Sequence, residues 1–430
     1  MKLNILKFGM VLIVASLTLG TISCKKKGCT DPIATNFNEN AEEDDGNCQY
    51  DITPTDNIIK TGFITSDEIW VTNEIYELQG KVVVNNGVTL TIEPGTIIKG
   101  QEGTGANASA LVIAKGGIIN AVGTPLSPII FTSVLDNIQP GQLTGTNLDE
   151  NDQGKWGGII VLGNAPISSA DGDITSQIEG IPATDSYGSF GGSNVNDNSG
   201  ILSYISIRHG GALIGAGNEI NGLTLGGVGS GTTINNIEVV SNLDDGIEFF
   251  GGTVNASNLV VGFQGDDGID IDMNYDGTVS EFIVINGSNS DEALEIDGPE
   301  GITHTDGMFS LTNGLVYNHE SNLGSPGDFK SKAQGSVTNV SLGTIKIRAS
   351  YQNNCADAKT DAFTHLIDIN PKLTFSYCSF LGVNVYTNSI SCTVPSIDQL
   401  TAESVISSEI SPWCCPIGFD WTWCSINGKL

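Results

Sequence analysis

Asp244-Asp245-Gly246-Ile247-Glu248-Phe249, Asp266-Asp267-Gly268-Ile269-Asp270-Ile271 and Asp291-Glu292-Ala293-Leu294-Glu295-Ile296 write one pattern three times: two acids, a small residue, then apolar and acidic residues in alternation. The second acid recurs after 22 and then 25 residues. β-like runs accompany the copies at Asn236-Ile237-Glu238-Val239, Asn258-Leu259-Val260-Val261 and Glu281-Phe282-Ile283-Val284, and more distantly at Gly314-Leu315-Val316-Tyr317 and Asn339-Val340-Ser341-Leu342. Short period-2 runs joined by Gly/Asn turns, repeating at this length, predict a β-solenoid in which each turn of chain stacks on the last. The fold class expected is all-β, a parallel β-helix.

Alternation turns Ile247, Ile269 and Leu294 inward with Phe249, Ile271 and Ile296, so Glu248, Asp270 and Glu295 face outward in one column. Neighbouring strands lie ~4.8 Å apart. Carboxylates stacked so closely raise one another's pKa unless a positive charge lies between them. A hard cation with oxygen ligands suits the place, and Ca²⁺ is the candidate, with Asp245, Glu248, Asp267, Asp270, Asp272 and Glu295 as its ligands. A second reading stands beside it: Asp244, Asp266 and Asp291 close turns through hydrogen bonds to backbone, and the outward acids form a solvated face.

The chain opens with Lys2, Lys7 and an apolar run from Phe8 to Leu19, the form of a secretory signal over residues 1–23. Gly20, Thr21 and Ser23 lead to Cys24 in a stretch that resembles a bacterial lipobox, which implies lipidation of Cys24 and membrane attachment through that lipid. Thr21 departs from the usual Leu or Val, and the relaxed lipobox of the Bacteroidota accommodates it. Lys25, Lys26 and Lys27 follow where surface-displayed lipoproteins of that phylum are acidic. The expected location is therefore the outer membrane, facing the periplasm or the cell surface.

Residues 24–57 hold an acidic segment bracketed by Cys29 and Cys48 and a polar linker. Too few apolar residues lie there for a core, so a Cys29 to Cys48 disulfide is expected to close it. Asp31, Asn38, Asn40, Asp44 and Asp45 offer oxygen ligands for Ca²⁺, against the plainer reading of a solvated loop. The β pattern then runs over residues 58–349, broken by polar insertions from Leu135 to Lys155 and from Asn164 to Gly200. In a solenoid such insertions project from one face and wall a groove. Trp156, Tyr187 and Phe190 in or beside the second are candidates for stacking on sugar rings.

Residues 350–430 carry Cys355, Cys378, Cys392, Cys414, Cys415 and Cys424 with three tryptophans. Nine cysteines less Cys24 leave eight, an even number that suits pairing in an exported protein. A disulfide-stapled cap over the open end of the solenoid is expected, with a helix starting at Ser396 and Gln399 completing a capping box.

Cys29-Thr30-Asp31-Pro32 through Asp44-Asp45-Gly46-Asn47-Cys48 resembles a short module of exported Bacteroidota proteins. Leu90-Thr91-Ile92-Glu93-Pro94-Gly95-Thr96, Trp156-Gly157-Gly158-Ile159-Ile160-Val161-Leu162-Gly163-Asn164 and Gly222-Leu223-Thr224-Leu225-Gly226-Gly227 resemble a large family of exported Bacteroidota proteins, as do the acidic repeats. The likeness spans Ile58 to Leu342. It implies a right-handed parallel β-helix often linked to type IX secretion, and it implies no catalytic residues.

Forty-nine acidic against 18 basic residues give a formal net charge of −31, which excludes nucleic acid as a partner and favours divalent cations. The expected function is a lipid-anchored envelope β-helix, non-catalytic, that binds Ca²⁺ and a glycan or another surface polymer. The alternative is a calcium-dependent polysaccharide lyase or glycoside hydrolase working on the acidic face. A lyase needs a base, for which Arg208 and His209 are the best placed. The polygalacturonase order of motifs is not reproduced.

Overall fold

Apolar residues spaced for period 2 in every coil bury only if each strand lies in register on its predecessor, and the described strands of the main sheet do this, with one shift, between Thr61 and Gly62. The computed structural model describes residues 25–30, 34, 36–44, 46, 57–213, 220–318, 326–353, 355–406 and 418–430. The leader, Cys24, Asp31, Asp45, Cys48, His319, Trp413, Cys414 and Cys415 lie outside the described residues. Two units are present, Met1–Thr53 and Pro54–Leu430.

In the first unit Cys29 is disulfide-bonded and almost fully buried. A bridge pairs Lys27 with Glu43. Two of the proposed oxygen ligands serve local turns: Asn38 Oδ1 accepts from the Asn40 N–H at 3.1 Å, and Asp44 Oδ1 accepts from the Gly46 N–H at 2.9 Å.

The second unit is a parallel β-helix built around one 23-stranded sheet. One face is stacked from Ala110–Ile113, Ile159–Leu162, Leu223–Gly226, Ile247–Phe250, Ile269–Asp272, Leu294–Ile296, Gly327–Phe329, Thr344–Arg348 and Gly382–Tyr386, every neighbour parallel. Inward-facing Leu223, Leu225, Ile247, Phe249, Ile269, Ile271, Leu294, Ile296, Ile345 and Ile347 are fully buried in a continuous core. The last coil extends to Tyr386, past the boundary at residue 349 read from the sequence.

Between the other two faces the long strands bend at one residue per coil. Asn236, Asn258, Glu281, Asn313 and Asn339 occupy this corner with φ of 53°, 56°, 57°, 58° and 58°. Asn tolerates the left-handed region better than other L-residues, which explains why asparagine opens most of these runs.

The C-terminal region divides in two. Residues 350–406 cap the end, with Cys355 bonded to Cys392. The helix does start at Ser396, but Gln399 completes no capping box. Instead its amide donates to Val383 O and accepts from Val385 N–H, both at 2.8 Å, and so mimics another strand along the open edge of Gly382–Tyr386. Residues 418–430 lie along the flank rather than over the end. There Phe419, Trp423 and Cys424 cover the outward-facing Val240, Val260, Ile283 and Ile285. Cys424 is a buried thiol, so the pairing expected of all eight cysteines fails at this one, which the flank position separates from the cap.

Candidate functional site: an acidic ledge on one face of the solenoid

On the face described first, the outward position of consecutive coils reads Val112, Ile160, Thr224, Glu248, Asp270, Glu295, Asp328 and Lys346. The expected column is thus in register, and it continues one acid further. It is not the solvated face of the second reading. Glu248 is only 7% exposed and Asp328 6%, while Asp270 and Glu295 are half-buried. The insertion from Asn164 accounts for part of this. Ile167, Ile178, Ile181 and Phe190 pack on the apolar start of the column, at Val112, Ile160 and Leu162, and make a covered shelf beside the acids.

The turns before these strands explain the paired acids and the small residue. The Asp267 N–H donates to Asp245 Oδ1 at 2.9 Å, and the Glu292 N–H donates to Asp267 Oδ1 at 2.7 Å. The second acid therefore ties each coil to the next, where the sequence pointed to the first acid as the turn-closing residue. Gly246 and Gly268 are required by close approach: a Cβ there would stand 2.2 Å and 2.5 Å from Val261 and Val284.

Of the six candidate ligands, Asp245, Glu248 and Asp270 come together with oxygens within 4.8 Å of one another. Asp267 and Glu295 belong to a second group of the same size, completed by Glu292, and Asp245 also joins Asp244 and Asp266 in a third. Asp272 joins none of them. Its carboxylate accepts from the Met273 N–H at 2.8 Å and lies beside Glu300, which adds to the burial that raises it.

Besides Asp328, two residues of this site were missed. Glu292 was legible as the second acid of the third copy. Asn221 was legible too, because Leu223 pairs with Ile247, so Asn221-Gly222-Leu223-Thr224-Leu225 is an earlier, uncharged copy of Asp245-Gly246-Ile247-Glu248-Phe249. Its Nδ2 donates to Glu248 and, at 3.2 Å, to Glu179 Oε1 from the insertion.

Burial sets the electrostatics. It pushes the carboxyls of Asp245, Glu248 and Asp270 well above the ordinary carboxylate range, and the surrounding acids push further. Asp267 is raised to about 8 and Asp272 to about 7, again by burial first. Among the described residues, lysines reach only one end of the ledge: Lys330 pairs with Glu295, and Lys346 with Glu292 and, at 3.8 Å, Asp328. Among the described residues no ion pair reaches Asp245, Glu248 or Asp270.

The aromatic candidates are corrected. Trp156 is fully buried in the core, stacked on Phe131 with its indole N–H on Arg208 O at 2.8 Å, and Gly100 leaves the room for it. Phe190 is fully buried under the insertion. Neither presents a ring face. Tyr187 is half-buried, edge-on to Phe63, with its hydroxyl on Asp185 at 3.1 Å. Arg208 and His209 are also buried, at 0% and 1% exposure, on the flank beneath the C-terminal strap. Glu238 beside them accepts from the Trp423 and Cys424 N–H groups at 2.8 and 2.9 Å.

The family model of the pectate-lyase-like β-helix domain matches residues 62–405. Two crystal structures of a pectin methylesterase from Aspergillus niger, one deglycosylated and one penultimately deglycosylated, are similar at 12% identity with TM-scores of 0.28 and 0.29. Each alignment covers 80% of this chain and 97% of the enzyme. No curated protein matches.

Proposed function

This chain belongs to the pectate-lyase-like β-helix domain family, and we propose that it is a non-catalytic, lipid-anchored protein of the cell envelope that binds a glycan or another anionic surface polymer through a calcium-bearing ledge. The observation that carries this reading is the in-register run Glu248, Asp270, Glu295, Asp328, half or more buried, with lysines at one end only. Carboxylates so placed take up protons or a cation, and a cation with open coordination positions bridges to the carboxylates of a polymer. Four of the described basic residues are placed against acting as a free base, which supports binding over bond cleavage: Arg208 and His209 are buried elsewhere, and Lys330 and Lys346 are each held in an ion pair.

One observation favours the second reading, a cation-dependent lyase or glycoside hydrolase. Asp267, raised to about 8, holds a proton at neutral pH as a general acid must. A glycan array with and without Ca²⁺, followed by product analysis on every hit, separates the two. Retention of intact glycan only when Ca²⁺ is present is the expected result, and shortened or unsaturated products establish the enzyme instead. Anchoring is tested by fractionation: Cys24→Ser is expected to move the protein from the membrane to the soluble fraction.

A further inference from the structure

The strap of residues 418–430 lies on strands that do not need it for pairing. Gly200–Arg208, Thr233–Val240, Asn255–Gly262 and Thr278–Asn286 pair with one another in parallel, and the strap sits on the outward side chains Val240, Val260, Ile283 and Ile285. Among the described residues its backbone–backbone bonds are all internal, as from the Ile426 N–H to Thr422 O at 3.0 Å and from the Lys429 N–H to Cys424 O at 2.7 Å. One solenoid side chain receives its main chain. Glu238 accepts the Trp423 N–H on one carboxylate oxygen and the Cys424 N–H on the other. Glu238 is held in turn by Ser206, whose hydroxyl donates to it at 2.5 Å and accepts from Arg208 Nε at 2.7 Å.

The closed strap also buries donors that it does not satisfy. Nη1 and Nη2 of Arg208 and Nε1 of Trp421 have no hydrogen-bond partner among the described residues. Water satisfies all three nitrogens once the strap lifts, which offsets part of the apolar burial lost at Phe419 and Trp423. A segment whose departure breaks no sheet pairing, and whose closure leaves buried donors unmet, opens at lower free energy than the coils beneath it.

The end of the strap reaches toward the ledge. Lys429 pairs with Glu150 of the first insertion at 2.5 Å, and its Nζ stands 5.7 Å from the centre of the Phe263 ring. Gln153 of the same insertion donates to Phe263 O at 2.7 Å. Phe263 leads through Gln264 and Gly265 into Asp266-Asp267, so strap and insertion together brace a turn that carries one of the acid pairs.

We propose that residues 418–430 form a latch that opens as one unit from an intact solenoid, with Glu238 as its lock and the Asp266-Asp267 turn as the place it braces. Closed, the latch covers the aliphatic strip and steadies that turn through Phe263. Open, it gives Arg208 to water and leaves the turn to its own coil and to the bond from the Asp267 N–H to Asp245. The latch goes beyond the reading of the ledge as cation-bearing and holds whether or not the ledge takes calcium.

Amide hydrogen exchange of the whole protein, resolved to single residues by fragmentation in the mass spectrometer, tests it. The Trp423 and Cys424 amides are expected to exchange about 100-fold faster than those of Thr233–Val240 beneath them. Glu238→Gln keeps one acceptor oxygen for two N–H groups and is expected to speed the strap amides about tenfold, with Thr233–Val240 unchanged and the Asp267 amide about threefold faster. Strap and strand amides that exchange at one rate, or a Glu238→Gln variant that leaves the strap unmoved or speeds the strand equally, overturn the latch. An Asp267 amide that stays unmoved while the strap loosens overturns the brace. Should Glu238→Gln fail to fold, Lys429→Met, at the partly exposed end of the strap, makes the same comparison. Strap amides about threefold faster over unchanged strands support the latch there, and unchanged strap amides count against it.

Discussion

Two of the three carboxylate groups of the ledge, Asp245 with Glu248 and Asp270 and Asp267 with Glu292 and Glu295, come from consecutive copies of one repeat, in one register, yet they have opposite electrostatic partners. Around Asp267, Glu292 and Glu295 the positive charge arrives from later coils, where Lys330 follows Gly327–Phe329 and Lys346 occupies the column position itself. Around Asp245, Glu248 and Asp270 the preceding coil offers the neutral Asn221 and Thr224. A solenoid lets each coil neutralise the one beside it, so a charge pattern identical in three copies has different consequences according to what the flanking coil carries.

Removing the lysine is expected to have the largest effect. Lys346→Met leaves Glu292, with 6% of its side chain exposed, as an unpaired buried acid. The expected loss is about 3 kcal/mol in urea unfolding. Adding Glu292→Gln is expected to restore most of it, and an uncoupled double mutant would show that the pair does not neutralise the group.

The opposite sign is expected in the other group. At pH 8 without divalent cation, Asp270→Asn removes an acid crowded by Asp245 and Glu248 and is expected to raise stability by about 1 kcal/mol. With excess Ca²⁺ the natural protein should be the more stable of the two. If Asp270→Asn destabilises under both conditions, the two groups do not differ as described.

The pH dependence follows from the same burial. Asp267 and Asp272, raised to about 8 and about 7 from an ordinary value of 3.8, bind protons more tightly in the folded than in the unfolded chain. Their contribution is fully present below about pH 4 and is lost as pH rises through about 7 to 8. Asp245, Glu248 and Asp270 shift in the same direction. Metal-free protein is therefore expected to melt at a lower temperature at pH 8 than at pH 5, and Ca²⁺ should flatten the difference. A melting temperature that rises between those pH values without calcium would sink this account.

Much of this was legible in the sequence because the physics of a solenoid is local and repetitive. Ile247, Ile269 and Leu294 stack as their spacing requires, and alternation put Glu248, Asp270 and Glu295 on one line. What was not legible depends on segments outside the repeat. The insertion from Asn164 buries Phe190 against outward-facing Ile160 and Leu162, and the strap from Gly418 buries the flank around Arg208, so exposed aromatics and an exposed base were the wrong expectation. Asn221 escaped because a neutral residue replaces the acid that marks the motif, although the turn geometry is kept.

A last substitution separates the site from the overall charge. With a net charge of −31, any loss of an acid relieves some general repulsion, so the gain from Asp270→Asn needs a comparison. Glu281 supplies one. It is exposed, and stands at the corner where other coils place asparagine, with φ of 57°. Glu281→Asn removes one negative charge and relaxes that backbone, for an expected gain of about 0.5 kcal/mol that calcium does not alter. Because Glu281 lies outside both carboxylate groups, an effect that did follow calcium there would mean that the cation acts on total charge, and the distinction between the two groups would lose its support.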